Sequence, residues 1–433
     1  MKVSSVAWSL LGLGLPPLAA LLFIPSLLAT LGTERFGLLS LIWALTALSG
    51  LLDLGIGRAT TKLIASQHAH GDAAAMSSTA AAAIRLTFVS GLVGGGLIAL
   101  SLGADLRSSF RVQQVSAADF AAVTLLLALI APLQALAATY RGIAEGMQKF
   151  RGISLVRMCM GVASFAAPWL VARTTPDLVW ITASLLATRL LALSSFALIA
   201  RRHLPRPGTP KTFGEARQKR TELLRAGGWL SVSAIVSPVL VQADRFAIAS
   251  LVSAAAVTSY TIPFDIVTQL LILPSAIATV ALPSLSGRIA RDARRARHSL
   301  TKWVGIVGLL MAVITTITAL LLPEGFARWL GQPLPAESVS VGRWLCLGVW
   351  LNGVGAMYYA WLHAHGRFRT TAMLHIIELP FYAALLAILL QRYGVMGAAV
   401  AWVLRVGADT LALCLASRAL SPNRTAPAGA TDT

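Results

Sequence analysis

The sequence predicts an all-α polytopic membrane protein: about twelve transmembrane helices in two six-helix lobes around a central cavity. Three observations carry that prediction. Only 12% of the 433 residues are charged and 56% are hydrophobic, whereas soluble domains hold about 25% charged residues. The apolar residues fall in blocks near the ~20 residues that cross a ~30 Å hydrocarbon layer. The basic residues gather in alternate connections between those blocks.

Taken in order, the expected spans are 8–30, 36–56, 79–102, 118–139, 153–172 and 178–200, then 227–248, 257–284, 301–322, 339–362, 371–390 and 396–417. The first is too long for the apolar core of a signal peptide and reads as an uncleaved helix. Pro16 and Pro17 interrupt it, as Pro238 interrupts the seventh. Proline removes a backbone donor and clashes with the preceding turn, so both helices should kink. Interrupted helices at matching places in two halves point to a transporter repeat whose site lies between them. Gly91 and Gly95 in the third span form a small-xxx-small face suited to close helix packing. Residues 201–226, with three prolines and eight basic residues, read as a cytoplasmic linker. The expected organisation is a lobe over 1–200, that linker, a lobe over 227–417 and a disordered tail over 418–433.

The net charge of +19 is mainly a topology signal and does not indicate nucleic-acid binding. With the N-terminus inside, 24 of the 36 Lys and Arg residues lie in inside segments and 8 in outside ones. The positive-inside rule then puts both termini in the cytoplasm, with membrane lipid head groups beside the inside loops. Cys159, Cys346 and Cys414 are scattered and form neither a disulfide nor a metal pattern. His68 with His70 and His363 with His365 stand two apart, on diverging faces of a helix, and read as solvated loop histidines. No hydrolase, phosphate-loop or zinc motif is present, so no catalytic residue, cofactor or metal is expected.

The remaining four basic residues, Arg85, Arg157, Arg189 and Arg405, interrupt apolar spans. A guanidinium at a helix centre costs at least ~2.5–3.5 kcal/mol unless it faces a wet cavity, pairs or snorkels. Arg157, near a span end, can snorkel, and Arg85 less easily; Arg405 can pair with Glu378. The deep charges of the first half are all basic, and arginine grips phosphate oxygens bidentately. Arg189, Arg85 and Arg157 are therefore candidate substrate-binding cations. The second half mixes Asp265, Glu378 and Asp409 with Arg405. These four, with Asp244, Arg245 and Asp53, are candidates for binding a coupling cation or proton or for gating. For Asp53, helix capping or pairing with Arg58 is the simpler reading. Asp244 and Arg245 have one in a local ion pair.

Leu31-Gly32-Thr33-Glu34-Arg35-Phe36-Gly37-Leu38, followed by Leu52-Asp53-Leu54-Gly55-Ile56-Gly57, resembles the opening of the bacterial polysaccharide (O-antigen) flippases. These belong to the multidrug/oligosaccharidyl-lipid/polysaccharide exporter superfamily. Asp244-Arg245-Phe246, Tyr260-Thr261, Leu282-Pro283-Ser284, Ala364-His365-Gly366-Arg367, Glu378 and Gly394-Val395-Met396-Gly397-Ala398-Ala399 continue the resemblance over about residues 5–417. It implies alternating-access transfer of an undecaprenyl-diphosphate-linked oligosaccharide across the inner membrane for surface polysaccharide synthesis, and a complex with a polysaccharide polymerase. A cation-coupled multidrug exporter of the same superfamily is the alternative. A membrane-bound polymerase or ligase is more remote, because no outside loop is long enough to present a catalytic site.

Overall fold

Helices account for every long element among the described residues, which in the computed structural model are 3–53, 55–101, 106–204, 236, 238–289 and 292–420. The expected linker beyond residue 204, the start of the seventh span and the tail beyond residue 420 lie outside them. The helices are α1 (Val3–Ser49), α2 (Ile56–Ala69), α3 (Ala73–Leu100), α4 (Leu106–Ser109), α5 (Ala117–Gly146), α6 (Phe150–Ala172) and α7 (Leu178–His203). After a helix over 238–251 come α8 (Ala254–Val267), α9 (Ile272–Ile289), α10 (Ala293–Leu330), α11 (Ala336–Ala364) and α12 (Phe368–Ala419).

Nine stretches of the described residues are long and apolar enough to cross a membrane. Two of these, α1 and α12, each contain two expected spans. Their division falls at Gly32 (φ 74°) and Gly394 (φ 57°), in the left-handed region that costs an L side chain roughly 1–2 kcal/mol and glycine almost nothing. Together with the partly described seventh span, this agrees with the expected number of crossings. The chain is a multi-pass membrane protein.

The chain divides into two units, Met1–Thr258 and Ser259–Thr433. In the first, α5 is the central post, packing on α2, α3 and α7 while α6 packs on α1 and α7. Gly91 and Gly95 of α3 lie against Pro132 and Ala128 of α5, where a Cβ would strike the neighbouring helix. The small-residue face therefore packs, as the sequence predicts. At one end of this unit the Ala254 N–H donates to the Phe110 carbonyl at 2.9 Å. There too the Thr258 hydroxyl donates to the Thr33 carbonyl at 2.6 Å. Glu34, 7% exposed, accepts from the Gln113 and Gln114 N–H groups.

In the second unit the post is α11, which packs on α9, α10 and α12. Its Gly348 lies under Trp402 and its Gly355 against Thr410. Large apolar side chains such as Leu22, Leu97, Leu309 and Phe381 point outward, as lipid allows and water would not. Buried threonines turn their hydroxyls onto their own helix. Thr46, Thr60, Thr182 and Thr315 donate to the carbonyls four residues earlier at 2.7 Å. This satisfies groups that hydrocarbon cannot.

Candidate functional site

The first unit holds a cavity of about 510 Å³. Pro16 and Pro238, the prolines expected to interrupt their helices, both line it; the α1 backbone nevertheless stays helical at Pro16 and Pro17 and leaves helical geometry only at Gly32. Pro16 lies against Gly161 of α6, where there is no room for a Cβ, so a small residue opposite the proline lets α1 and α6 close on the cavity wall.

The charged lining is Arg58, Arg141, Arg157 and Arg189 with Asp53 and Glu145. Four guanidinium groups against two carboxylates leave a net charge of +2. The carboxylates are engaged. Asp53 accepts from the Gly55 N–H at 2.9 Å and the Gly57 N–H at 3.1 Å, holding the first turn of α2 as a cap does. Glu145 lies 3.6 Å from Arg141, one helical turn away. Among the described residues Arg157 and Arg189 have no carboxylate partner, and Arg58 feels the Asp53 charge without forming a close ion pair with it.

Arg189 is the most constrained of the three. Its Nη2 donates to the Ser164 hydroxyl at 3.2 Å, and that hydroxyl donates to the Met160 carbonyl at 2.8 Å. Its Nε is buried with no hydrogen-bond partner among the described residues. The Trp43 indole N–H donates to the Ser164 carbonyl at 3.2 Å, and the Trp43 ring packs on Phe165 at 5.0 Å. The arginine is thus held from one side by a built support while N–H groups remain to be satisfied. An anion with several oxygen acceptors meets that need.

Arg58 and Arg141, which belong to the inside basic residues of the charge bias, line the same cavity. Thr61 explains how: its hydroxyl donates to the Gly57 carbonyl at 3.0 Å and to the Gly142 carbonyl at 3.1 Å. A Cβ on Gly142 would strike the Gly57 carbonyl oxygen, so two glycines bring α2 and α5 into backbone contact. Each glycine is followed or preceded by one of the arginines, Gly57-Arg58 and Arg141-Gly142.

The other predicted residues lie elsewhere. Arg85 is exposed on α3 and is not in the lining. Asp244 is fully buried and Arg245 is 6% exposed, both on the helix over 238–251. Asp265 is half-buried on α8.

In the second unit Arg405 Nε donates to Glu378 Oε1 at 2.7 Å, with the side chains 12% and 13% exposed. The pairing named from sequence is the one observed. The guanidinium also sits 5.2 Å from the centre of the Tyr382 ring. Donor atoms of His375, Glu378 and Asp409 all lie within 4.8 Å of one another, beside a cavity of about 290 Å³. His375 was not singled out from sequence. Its spacing of three from Glu378 would have placed the two on one helix face. His363, expected as a solvated loop residue, is half-buried and packed on Tyr359, with ring centres 4.0 Å apart.

Residues 3–287 match the family described as polysaccharide biosynthesis protein. A Shigella flexneri protein described as an O-antigen transporter is 27% identical over 415 residues, 95% of this chain and 96% of its own. Among solved structures, an inward-facing multidrug-resistance transporter of the MATE family superposes with a TM-score of 0.73 at 15% identity, covering 95% of this chain and 97% of that one. An outward-facing MATE transporter gives 0.63 at 17% identity, covering 96% and 94%. A transporter of the same superfamily from Pyrococcus furiosus, whose binding pocket is described as reversed in polarity, gives 0.55 at 18% identity, covering 95% and 97%. These structural likenesses establish a two-lobe transporter fold.

Proposed function

Because the chain belongs to the polysaccharide biosynthesis protein family, we propose that it is a flippase for undecaprenyl-diphosphate-linked oligosaccharides, serving surface polysaccharide synthesis in the bacterial inner membrane. The observation that carries this reading is the first-unit cavity, with its net charge of +2 and the buried, incompletely bonded Arg189. A diphosphate diester carries about two negative charges, so the lining neutralises it. Arg189 and Arg157 are the residues that would grip it, with Arg58 at the same wall. The isoprenoid chain stays in lipid and the oligosaccharide takes the wet volume.

The relative from Shigella flexneri is described as a transporter, which supports a carrier role over a polymerase or ligase. A cationic drug would meet a cavity of its own sign, so the drug-exporter reading is weaker. Both termini lie in the cytoplasm by the charge bias, and a coupling ion and a complex with the polymerase belong to this same reading.

The test is complementation of a strain lacking its own O-antigen transporter. Wild-type chain restores surface polysaccharide. Arg189→Glu abolishes it at equal membrane abundance. Normal polysaccharide in that variant overturns the assignment of Arg189, and failure of the wild-type chain to move lipid-linked oligosaccharide in proteoliposomes overturns the flippase reading.

A further inference from the structure

The charges deep within α12, Glu378, Arg405 and Asp409, do not balance. Arg405 offsets Glu378 at 2.7 Å, which leaves Asp409 over. Among the described residues Asp409 has no ion pair or hydrogen bond, although its nearest donor atom is within 4.8 Å of those of Glu378 and His375. Glu378 Oε2 is likewise buried without a hydrogen-bond partner. With both carboxylates ionised and histidine neutral, the group carries one net negative charge, and its Asp409 lies ten or more residues from either end of the Gly394–Ala419 arm. A lone charge at that depth costs at least ~2.5–3.5 kcal/mol. One positive charge removes the deficit; two would reverse it.

We propose that His375, Glu378 and Asp409 form a binding site for a single proton, filled from the Ala364–Arg367 end of the helix pair by way of His363. The groups facing one another support a proton over a metal cation. Arg405 already occupies one Glu378 oxygen and would repel a metal ion beside it. His375 and Asp409 can share a proton with little movement, whereas a small metal ion needs several oxygens closed around it. The adjoining cavity of about 290 Å³ is lined by Glu378, Arg405 and Asp409 and is large enough for water.

The path is laid out on α11. The Tyr359 ring lies nearly parallel to His375, with ring centres 6.5 Å apart, and tilted against His363, with ring centres 4.0 Å apart. The His363 Nε2 is 3.3 Å from the Thr371 hydroxyl. His363 stands two residues before the His365 cap of α11, so its ring links the loop to the interior. The titratable groups that face the site are therefore Glu378, Arg405, Tyr382 and His375 from α12, and Tyr359 and His363 from α11.

The inference rests on the flippase reading only for the use made of the proton, and the test reads binding. Infrared spectra of the full chain in nanodiscs are recorded across a pH titration. Wild type is expected to show a protonated-carboxyl stretch that titrates. Asp409→Asn is expected to lose it, and Asp409→Glu, which keeps the carboxyl, to shift it. His363→Gln should leave its amplitude intact and slow its appearance after a pH jump. A band unchanged in both Asp409 variants overturns the proposal. Saturable binding of radioactive sodium at constant pH, lost in Asp409→Asn, also overturns it, in favour of a metal cation. A chain that shows the band yet moves no lipid-linked oligosaccharide retains the proton site and loses the flippase reading.

Discussion

Replacing Arg189 by glutamine tests the anion site most directly. The substitution keeps a polar side chain able to reach Ser164 and removes the charge and the fork of donors. Wild-type Arg189 spends one N–H on Ser164 at 3.2 Å and leaves its buried Nε unsatisfied, so a phosphate bound there gains charge-assisted bonds and displaces none. Such bonds contribute about 1.5–3 kcal/mol, and each 1.4 kcal/mol is tenfold in affinity. Arg189→Gln should therefore weaken binding of a soluble short-chain isoprenyl diphosphate roughly 10- to 150-fold, measured by calorimetry on the detergent-purified chain. Ser164→Ala removes only the support, at about 0.5–1.5 kcal/mol, and should weaken binding about two- to tenfold. The two effects should not add, because both act on one guanidinium. Arg85→Gln, on the exposed face outside the lining, should leave affinity unchanged. Equal affinity for wild type and Arg189→Gln, with Arg85→Gln weakened instead, would refute this reasoning.

Gly142→Ala drives a Cβ onto the Gly57 carbonyl oxygen and should destabilise the first unit by about 1–3 kcal/mol, seen as a lower thermal midpoint in detergent and weaker diphosphate binding. Glu378→Leu leaves Arg405 buried without its 2.7 Å partner and should cost about 3–5 kcal/mol, whereas Glu378→Leu with Arg405→Leu should recover most of the loss; a double variant no more stable than the single one would contradict the pairing energetics. Asp53→Ala removes the two backbone bonds at the start of α2 and should cost about 0.5–2 kcal/mol, with hydrogen exchange rising first at the Gly55 and Gly57 amides. In proteoliposomes, an inside-negative potential should speed the return of the empty carrier and leave the loaded step nearly unchanged.

Elements with a distinctive residue type were legible in sequence. Pro16 and Pro238 marked the two segments that line the cavity, although the α1 backbone runs on as helix through Pro16. Arg405 and Glu378 announced each other because opposite charges at similar depth have few alternatives. Arg85 shows the limit of that logic. Sequence gives depth in the bilayer, but the face a charge occupies depends on helix rotation, and α3 is too evenly apolar to reveal it. Arg58 and Arg141 failed in the other direction. Counting them towards topology treated them as loop charges, and only the Gly57–Gly142 backbone approach turns them to the cavity wall. Such an approach depends on two glycines 85 positions apart that no local pattern connects.

The balance of charge in the first-unit cavity determines where energy can enter the transport cycle. A diphosphate crossing alone would gain about 2.3 kcal/mol per charge at 100 mV. A diphosphate neutralised by a lining of net +2 crosses as a complex of almost no charge, and the field does little work on it. The empty cavity retains its two positive charges, and an inside-negative potential draws them inward. On the flippase reading, the potential therefore resets the carrier, and export of the loaded form depends on the concentration of substrate at the inner face. Release at the outer face then requires something to compete with the diphosphate for Arg189 and Arg157, because neutralisation alone favours the bound state on both sides. An anion or water reaching the incompletely bonded Arg189 fork can do so. The single support from Ser164 fits this requirement: a guanidinium locked by a carboxylate would hold no substrate, and one with no support would pay more entropy on each binding event.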